Sequence, residues 1–358
     1  MEISEIEVEG YEKVARCRDR KSGLHALIAV HDTTLGPALG GMRMLPYPSE
    51  DEALFDVLRL SRGMTYKSAV AETGLGGGKS VVIGDPRTAK APELFHAMGR
   101  FIESLGGKYI TAEDMNIGIP DLEIVRLETR WVTGLKRESG SSGNPSPYTA
   151  QGCLVGMRAV LEEVFRKSDF EGKRVLIQGV GAVGGRLAEL LAEQGAKVVI
   201  CDINEARVKE LERKNGFETV PDASHLEVEC DLYSPCARGA TLNDETIPKL
   251  RCKAIAGCAN NQLLEPRHAR DLMARGILYA PDYVINAGGI INVSVELLAG
   301  GYDEAVSLRK IQRIYDNLKL VFEISRHERI PTNEAAARLA EQRLAAGRAM
   351  RSGASRPA

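Results

Sequence analysis

Arg174-Val-Leu-Ile-Gln-Gly-Val-Gly-Ala-Val-Gly184 is a short hydrophobic run that gives way to three glycines at the spacing GxGxxG. Val183, Leu187, Leu190 and Leu191 then recur on one face of a helix that Gly195 closes, and Lys197–Cys201 is a second hydrophobic run ending at Asp202. The glycines alone would say little. With a strand before them, a helix opening at them and an acidic residue eighteen positions past Gly184, the pattern becomes specific. The first glycine allows the tight turn, the second lets a pyrophosphate approach, and the third lets the helix pack on the strand. Phosphates then lie at the helix N-terminus, where unpaired N–H groups favour negative charge. The stretch predicts a doubly wound parallel sheet that holds a dinucleotide. Asp202 is placed to accept the adenosine ribose hydroxyls and to repel a 2′-phosphate, which favours NAD over NADP, while Arg207 nearby either weakens that preference or is a solvated helix residue.

Working outward, further strand–helix units follow through 231–235, 253–257 and 277–285, as a doubly wound sheet requires. Asn260 and Asn286 come just after apolar strands there, as ligand contacts or as ordinary turn asparagines. Upstream, Glu138-Ser-Gly-Ser-Ser-Gly-Asn-Pro-Ser-Pro147 is the most loop-like stretch in the chain and marks a domain boundary. The expected division is a first domain over 1–140, joined by C-terminal helices at about 328–358, and a dinucleotide domain over 141–327. In the first half, residues 3–31 read as a strand hairpin and 36–44 as a glycine-punctuated turn. Ser49 and Glu52 have capping-box spacing ahead of a helix that leads into Lys67. Residues 80–86 read as a buried strand, 92–105 as a helix, and 108–112 as a strand that delivers Glu113 and Asp114. A long amphipathic helix from Asp303 and another from Thr332 to about Met350 close the chain, with 351–358 read as a disordered end.

Two lysines stand apart from this framework. Lys67 and Lys79 lie twelve residues apart, the second directly after Gly76, Gly77 and Gly78. Glycines let backbone approach a ligand closely. A lysine held in such a concave site, next to a second cation, would lose its proton more easily than a free one and serve as a base. The alternative is a glycine-rich surface loop with a solvated lysine. Gly78-Lys79-Ser80 is not a nucleotide-triphosphate loop, because Thr73 stands where that motif needs glycine and no buried strand precedes it. Asp114, at its strand end, is either an acid–base group or a helix N-cap.

Composition narrows the classes. The 358 residues are 44% hydrophobic and 27% charged, with a formal net charge of -2, so nothing favours nucleic acid or an anionic membrane surface as partner. No leader and no apolar run of membrane-spanning length is visible, and the seven scattered cysteines lack a CxxC, which reads as reduced thiols in a cytoplasmic protein. The six histidines form no metal-binding pattern, so no metal is expected.

Gly36-Pro-Ala-Leu-Gly-Gly-Met-Arg-Met44, Met64-Thr-Tyr-Lys67, Gly76-Gly-Gly-Lys-Ser-Val-Val-Ile-Gly-Asp-Pro86, Tyr109-Ile-Thr-Ala-Glu-Asp114, Gly143-Asn-Pro-Ser-Pro147, the GxGxxG turn and Val284-Ile-Asn-Ala-Gly-Gly-Ile-Ile-Asn-Val293 occur in this order. Together they resemble the glutamate/leucine/phenylalanine/valine dehydrogenase family, its leucine-acting branch most of all. The resemblance implies an α/β protein with an N-terminal substrate domain and a Rossmann-type NAD domain separated by a cleft. It implies reversible oxidative deamination of an L-amino acid to a 2-oxo acid and ammonium, in a homo-oligomer. Lys79 and Asp114 would be catalytic. Lys67, Gly40, Gly41, Met64, Leu39, Ala112, Asn260, Ile290 and Val293 would contact the amino acid. Thr149, Gly179, Val180, Gly181, Ala182, Val183, Gly184, Asp202, Arg207, Ala237, Ala259, Asn260 and Asn286 would hold the cofactor. Glutamate-specific relatives carry a lysine at the position of Leu39, and a carboxylate buried against leucine would be costly, so an apolar amino acid is expected. Tyr148 and Thr73 depart from the leucine pattern and leave phenylalanine and valine as alternative substrates, with a non-catalytic binding protein on the same fold as the reading from another class.

Overall fold

A computed structural model describes residues 1–354, and within them twelve strands form two six-stranded sheets. The first sheet contains β1 (Glu2–Glu5), β2 (Lys13–Asp19), β3 (Leu24–Asp32), β4 (Ala38–Leu45), β5 (Gly76–Ile83) and β6 (Tyr109–Ala112), in the order β1-β2-β3-β5-β4-β6. Its helices are α1 (Glu50–Ala71), α2 (Pro92–Glu103) and α3 (Ile119–Arg126). The stretch expected as a hairpin is three antiparallel strands.

A second difference matters more for the site. Residues 36–44, expected as a turn, are mostly strand β4, and the glycines before Lys79, expected as a loop, open strand β5. None of Gly40, Gly41, Gly76, Gly77 and Gly78 has positive φ. They are there for close approach: a Cβ on Gly77 would lie 2.0 Å from the Thr65 amide nitrogen of α1. Side chains alternate along β4, β5 and β6, and the register puts Leu39, Gly41 and Arg43 on one face with Gly77, Lys79, Val81, Ile110 and Ala112. Helix α1 covers that face, packing Ala53 and Val57 against Leu27, Ala29 and Val81. On the other face Met42, Met44 and Tyr109 join Phe95, Met98 and Phe101 of α2 in the core.

Helix α1 starts as expected, with the Ser49 hydroxyl accepting from the Glu52 N–H at 3.1 Å. It runs on through Lys67 to Ala71, where Glu72 turns left-handed (φ 51°) and donates to the Ala69 carbonyl.

The second sheet is wholly parallel: β7 (Arg174–Gln178), β8 (Lys197–Cys201), β9 (Glu218–Thr219), β10 (Cys230–Pro235), β11 (Cys252–Ile255) and β12 (Leu278–Tyr279), in the order β12-β11-β10-β7-β8-β9. Its first strand lies in the middle, so the connections reverse direction between β7 and β10, the place where such sheets bind ligands. The accompanying helices are α4 (Ser146–Phe165), α5 (Ala182–Glu193), α6 (Glu205–Asn215), α7 (His268–Ala274), α8 (Asp282–Ile285), α9 (Gly288–Val295), α10 (Glu304–Glu328) and α11 (Thr332–Ala354). Helix α4 escaped the sequence reading for a physical reason. Gly152 through Met157 are buried without a break, so the helix has no polar stripe to give it a 3.6-residue period.

The chain divides into two units, Met1–Asn144 with Val293–Asp303 and the residues from Ala340 on, and Pro145–Asn292 with Glu304–Leu339. Side-chain bonds account for the exchanged segments. The Glu296 carboxylate accepts from the Gly134 N–H (3.0 Å), the Ser142 N–H (2.9 Å) and the Ser141 hydroxyl (2.6 Å), which keeps 293–303 with the first unit. The Thr332 hydroxyl donates to the Tyr279 carbonyl at 2.6 Å, which keeps the start of α11 with the second. Helix α11 extends to Ala354, past the end expected at Met350, and its Arg351 donates to the Thr33 carbonyl at 2.5 Å. The remainder of the expected disordered end, 355–358, lies outside the described residues. No helix among the described residues is long and apolar enough to cross a membrane.

Candidate active site

In the first unit the face of β4, β5 and β6 beneath α1 gathers the chemistry. Lys79 is 5% exposed and ion-paired with Asp114, which follows β6. Gly41 makes room for that aspartate: a Cβ there would lie 2.8 Å from the Asp114 Cβ and 2.4 Å from the Glu113 carbonyl. The Met115 N–H donates to the other Asp114 oxygen at 2.7 Å. Two residues without a role in the sequence reading complete the cluster. Arg43 places Nε 3.5 Å from Asp114 Oδ2 and donates through its guanidinium to Asp56 Oδ2 at 3.1 Å. Asp56, on α1, also accepts from the Tyr47 hydroxyl (2.7 Å) and from Arg59 (2.8 Å). Reading 36–44 as a turn hid this. Once it is a strand, Arg43 alternates onto the face of Leu39 and Gly41.

Burial is the largest influence on Lys79 and drives its ammonium down, Arg43 adds to that, and the Asp114 carboxylate opposes it; the balance leaves Lys79 below the usual lysine range. Burial would raise the Asp114 carboxyl, but Lys79, Arg43 and the Met115 N–H together outweigh it and hold it low. The result is a base that is easier to deprotonate than a free lysine, beside a carboxylate that is harder to protonate than a free aspartate.

Leu39 is 2% exposed and lies opposite Gly77 and Ile110 across the ladder, and Ala112 pairs with Gly41. Met64 and Lys67 are half-buried on α1, one position before and two after the Thr65 that touches Gly77. Val293 is buried in the first unit; Ile290 and Asn260 belong to the second. Thr73 explains its own departure from pattern: its hydroxyl accepts from the Leu75 N–H at 3.2 Å and shapes the turn into β5.

In the second unit the proposed cofactor residues cluster at the carboxyl ends of the central strands. Gly179 follows β7 with φ +95°, where a Cβ would collide with Ala237 at 2.5 Å. A Cβ on Gly184 would lie 2.0 Å from the Gly179 carbonyl, so α5 sits directly on the turn, whereas Gly181 faces open space. Close packing on two sides and openness at the middle glycine fit a pyrophosphate at the start of α5, with Ala182 and Val183 in its first turn. Asp202 directly follows β8 and accepts from the Val180 N–H (2.7 Å) and the Asn204 N–H (2.8 Å), which leaves further lone pairs for ribose hydroxyls. Arg207 lies in α6, bonded to Glu210 at 2.8 Å and reaching the Val180 carbonyl at 3.4 Å. Ala259 and Asn260 follow β11, and Asn286 donates to Asn260 Oδ1 (2.7 Å) and to the Cys258 carbonyl (3.1 Å). Thr149 sits in the first turn of α4, where a Cβ on Gly289 would touch its hydroxyl at 2.7 Å. Its neighbour Tyr148 is buried and donates its hydroxyl to Glu304 at the start of α10.

Among the described residues, two clusters bring metal-ligand residue types together, Cys201 with Asp222 and His225, and Asp244 with His268 and Asp271. His225 bonds through Nε2 to the Tyr233 hydroxyl at 3.2 Å, and His268 accepts from the Glu265 N–H through Nδ1 at 3.0 Å while its Nε2 lies 3.4 Å from Asp244 Oδ1.

Residues 11–131 match the Glu/Leu/Phe/Val dehydrogenase dimerisation domain, and residues 140–204 and 200–352 match the glutamate/leucine/phenylalanine/valine dehydrogenase domain. The chain is 52% identical over 347 residues to a leucine dehydrogenase of Geobacillus stearothermophilus, covering 97% of this chain and 94% of that one. It is 47% identical over 341 residues to a phenylalanine dehydrogenase of Bacillus thermotolerans, covering 94% and 89%. The crystal structure of an L-tryptophan dehydrogenase from Nostoc punctiforme superposes with a TM-score of 0.85 at 41% identity, over 95% of this chain and 97% of that one. The chain belongs to the glutamate/leucine/phenylalanine/valine dehydrogenase family. It is an amino-acid dehydrogenase that uses a nicotinamide cofactor.

Proposed function

We propose that the protein catalyses NAD-dependent, reversible oxidative deamination of an apolar, branched-chain L-amino acid such as leucine, giving the 2-oxo acid and ammonium. The observation that carries this reading is the buried Lys79–Asp114 pair on the α1 face, with apolar Leu39 beside it. A buried ion pair is costly to a fold and is a poor choice for stability alone, so a protein that only bound an amino acid would have little use for it. The first unit takes the amino acid and associates with further copies, the second takes the cofactor, and the enzyme works in the cytoplasm.

Lys67 holds the substrate carboxylate by charge. Leu39, Ala112 and Val293 of the first unit take the side chain, with no cation at position 39 to receive a second carboxylate. Gly179, Gly181 and Gly184 seat the pyrophosphate, Asp202 accepts the ribose hydroxyls, and Thr149, Asn260 and Asn286 meet the nicotinamide end. Held there, the nicotinamide would supply the hydride acceptor for the substrate Cα once the substrate ammonium has passed a proton to Asp114, which leaves an iminium on the amino acid. Lys79, neutral at that moment, takes a proton from the water that attacks it. Asp114 exchanges a proton with the substrate nitrogen as the carbinolamine collapses to ammonium and oxo acid.

Lys79→Ala tests the assignment. Loss of the base should lower kcat by at least about a thousandfold, within the usual range for acid–base groups. NADH binding, followed by its fluorescence, should persist. A variant that deaminates leucine as fast as the parent removes Lys79 from the mechanism.

A further inference from the structure

Arg43 and Asp56 lie directly behind the Lys79–Asp114 pair and take no part in the chemistry just described. Arg43 approaches the same Asp114 oxygen that Lys79 binds, at 3.5 Å, and turns its other edge to Asp56 at 3.1 Å. All of these residues are well shielded, with side-chain exposures of 15% for Arg43, 14% for Asp56 and 22% for Asp114 around the buried Lys79. The cluster alternates in sign, from Lys79 through Asp114 and Arg43 to Asp56. It ends at the Tyr47 hydroxyl and at Arg59, which is 47% exposed and therefore screened by water. A guanidinium does not give up its proton, so Arg43 is a fixed charge, and Asp56 decides how much of it is felt.

We propose that Arg43 and Asp56 are positioning residues that set the pH at which Lys79 gives up its proton, Arg43 promoting the loss and Asp56 moderating it. The proposal rests on the reading of Lys79 as the base. Its logic is electrostatic. The Arg43 cation disfavours a second cation on Lys79 and holds Asp114 ionised, while the Asp56 anion offsets part of the Arg43 charge. The other titratable groups around Lys79 are accounted for. Tyr109 points to the opposite face of the sheet, where its hydroxyl donates to the Gly40 carbonyl at 2.6 Å. His31, on β3, bonds the Thr65 hydroxyl at 2.9 Å, Glu113 is the neighbour of Asp114, and Lys67 lies on α1; none of these is altered by the substitutions below.

The two residues make opposite predictions, which a merely structural role would not. In cofactor-free protein, trace labelling with acetic anhydride across a pH series, read on the Lys79 peptide by mass spectrometry, gives the pH at which that amine becomes reactive. Arg43→Gln should raise this midpoint by about one pH unit, and Asp56→Asn should lower it by about half a unit, as expected for charges a few ångströms away in a shielded cluster. Arg43→Lys, which keeps the charge, should leave it near the parent value. The acidic limb of kcat/KM for leucine should move in the same directions. Midpoints that stay put in both variants, or move the same way, overturn the proposal. Because labelling needs no turnover, a protein whose midpoints move as stated but which oxidises no amino acid would keep this assignment and lose the proposed function instead.

Discussion

In the proposed function Asp202 carries the cofactor preference on a single side chain. Its oxygens already accept the Val180 and Asn204 N–H groups, which fixes the carboxylate at the end of β8. A cofactor bearing a 2′-phosphate would bring its charge against that carboxylate, and Arg207, the nearby cation, is bonded to Glu210. Asp202→Ser should therefore raise the ratio of kcat/KM for NADP to that for NAD by at least about tenfold, the equivalent of removing roughly 1.4 kcal/mol of like-charge repulsion. Steady-state rates with both cofactors measure it, and an unchanged ratio would remove Asp202 from cofactor choice. The same economy holds for Lys79 and Asp114, where one buried pair would supply both the proposed base and its counter-charge.

Elements set those residues in place, and Glu50 shows how α1 is tied to its sheet. In the first turn of α1, Glu50 accepts from Arg16 (2.9 Å) and Arg18 (2.5 Å) and meets His25 at 2.6 Å, which joins the helix to β2 and β3. Burial opposes ionisation, but bonds from Arg18, Arg16 and His25 win and lower its carboxyl from 4.5 to about 2. A depressed carboxyl contributes stability that is fully present above the unfolded value and fades as pH falls toward the folded one. The side chain is 23% exposed, so screening reduces the contribution to about 1 kcal/mol. Glu50→Gln should lower the midpoint of urea unfolding at pH 7, and the difference from the parent should shrink between pH 4.5 and about 2. A gap that stays constant across that range would mean the carboxylate charge is not the link. Elements also explain what could be read from sequence. The second sheet was legible because its central strands are hydrophobic runs closed by a turn, and GxGxxG states its own geometry; the edge strand β9, only Glu218 and Thr219, carries no such signal. Strand β4 and the glycine opening of β5 were not, although residues 80–86 read as a strand, because glycine carries no alternation and these glycines answer to neighbours on another element, as Gly77 does to Thr65. Arg43 and Asp56 were hidden for the same reason. Their roles exist only once β4 is a strand facing α1.

Across the whole molecule, the proposed function assigns one task to each unit. The first holds the lysine–aspartate chemistry and the apolar Leu39; the second is a parallel sheet with its switch point between β7 and β10. Helix α11 leaves the second unit and finishes in the first, where Arg343 donates to the Val70 carbonyl at 2.5 Å and Arg348 to Asp32 at 2.8 Å. The first of these bonds supplies a cation to the C-terminal end of α1, which has no basic residue of its own in its last turn. Helix α1, which carries Met64 and Lys67, is thus held at its end by a residue 273 positions further along the chain.

The central claim is that this is an NAD-dependent dehydrogenase for apolar amino acids, and NADH absorbance tests it directly. Purified protein with NAD should reduce the cofactor fastest with leucine, isoleucine or valine, more slowly with phenylalanine, and hardly at all with glutamate. Glutamate as the best substrate, or no NADH formed with any of the five, would contradict it.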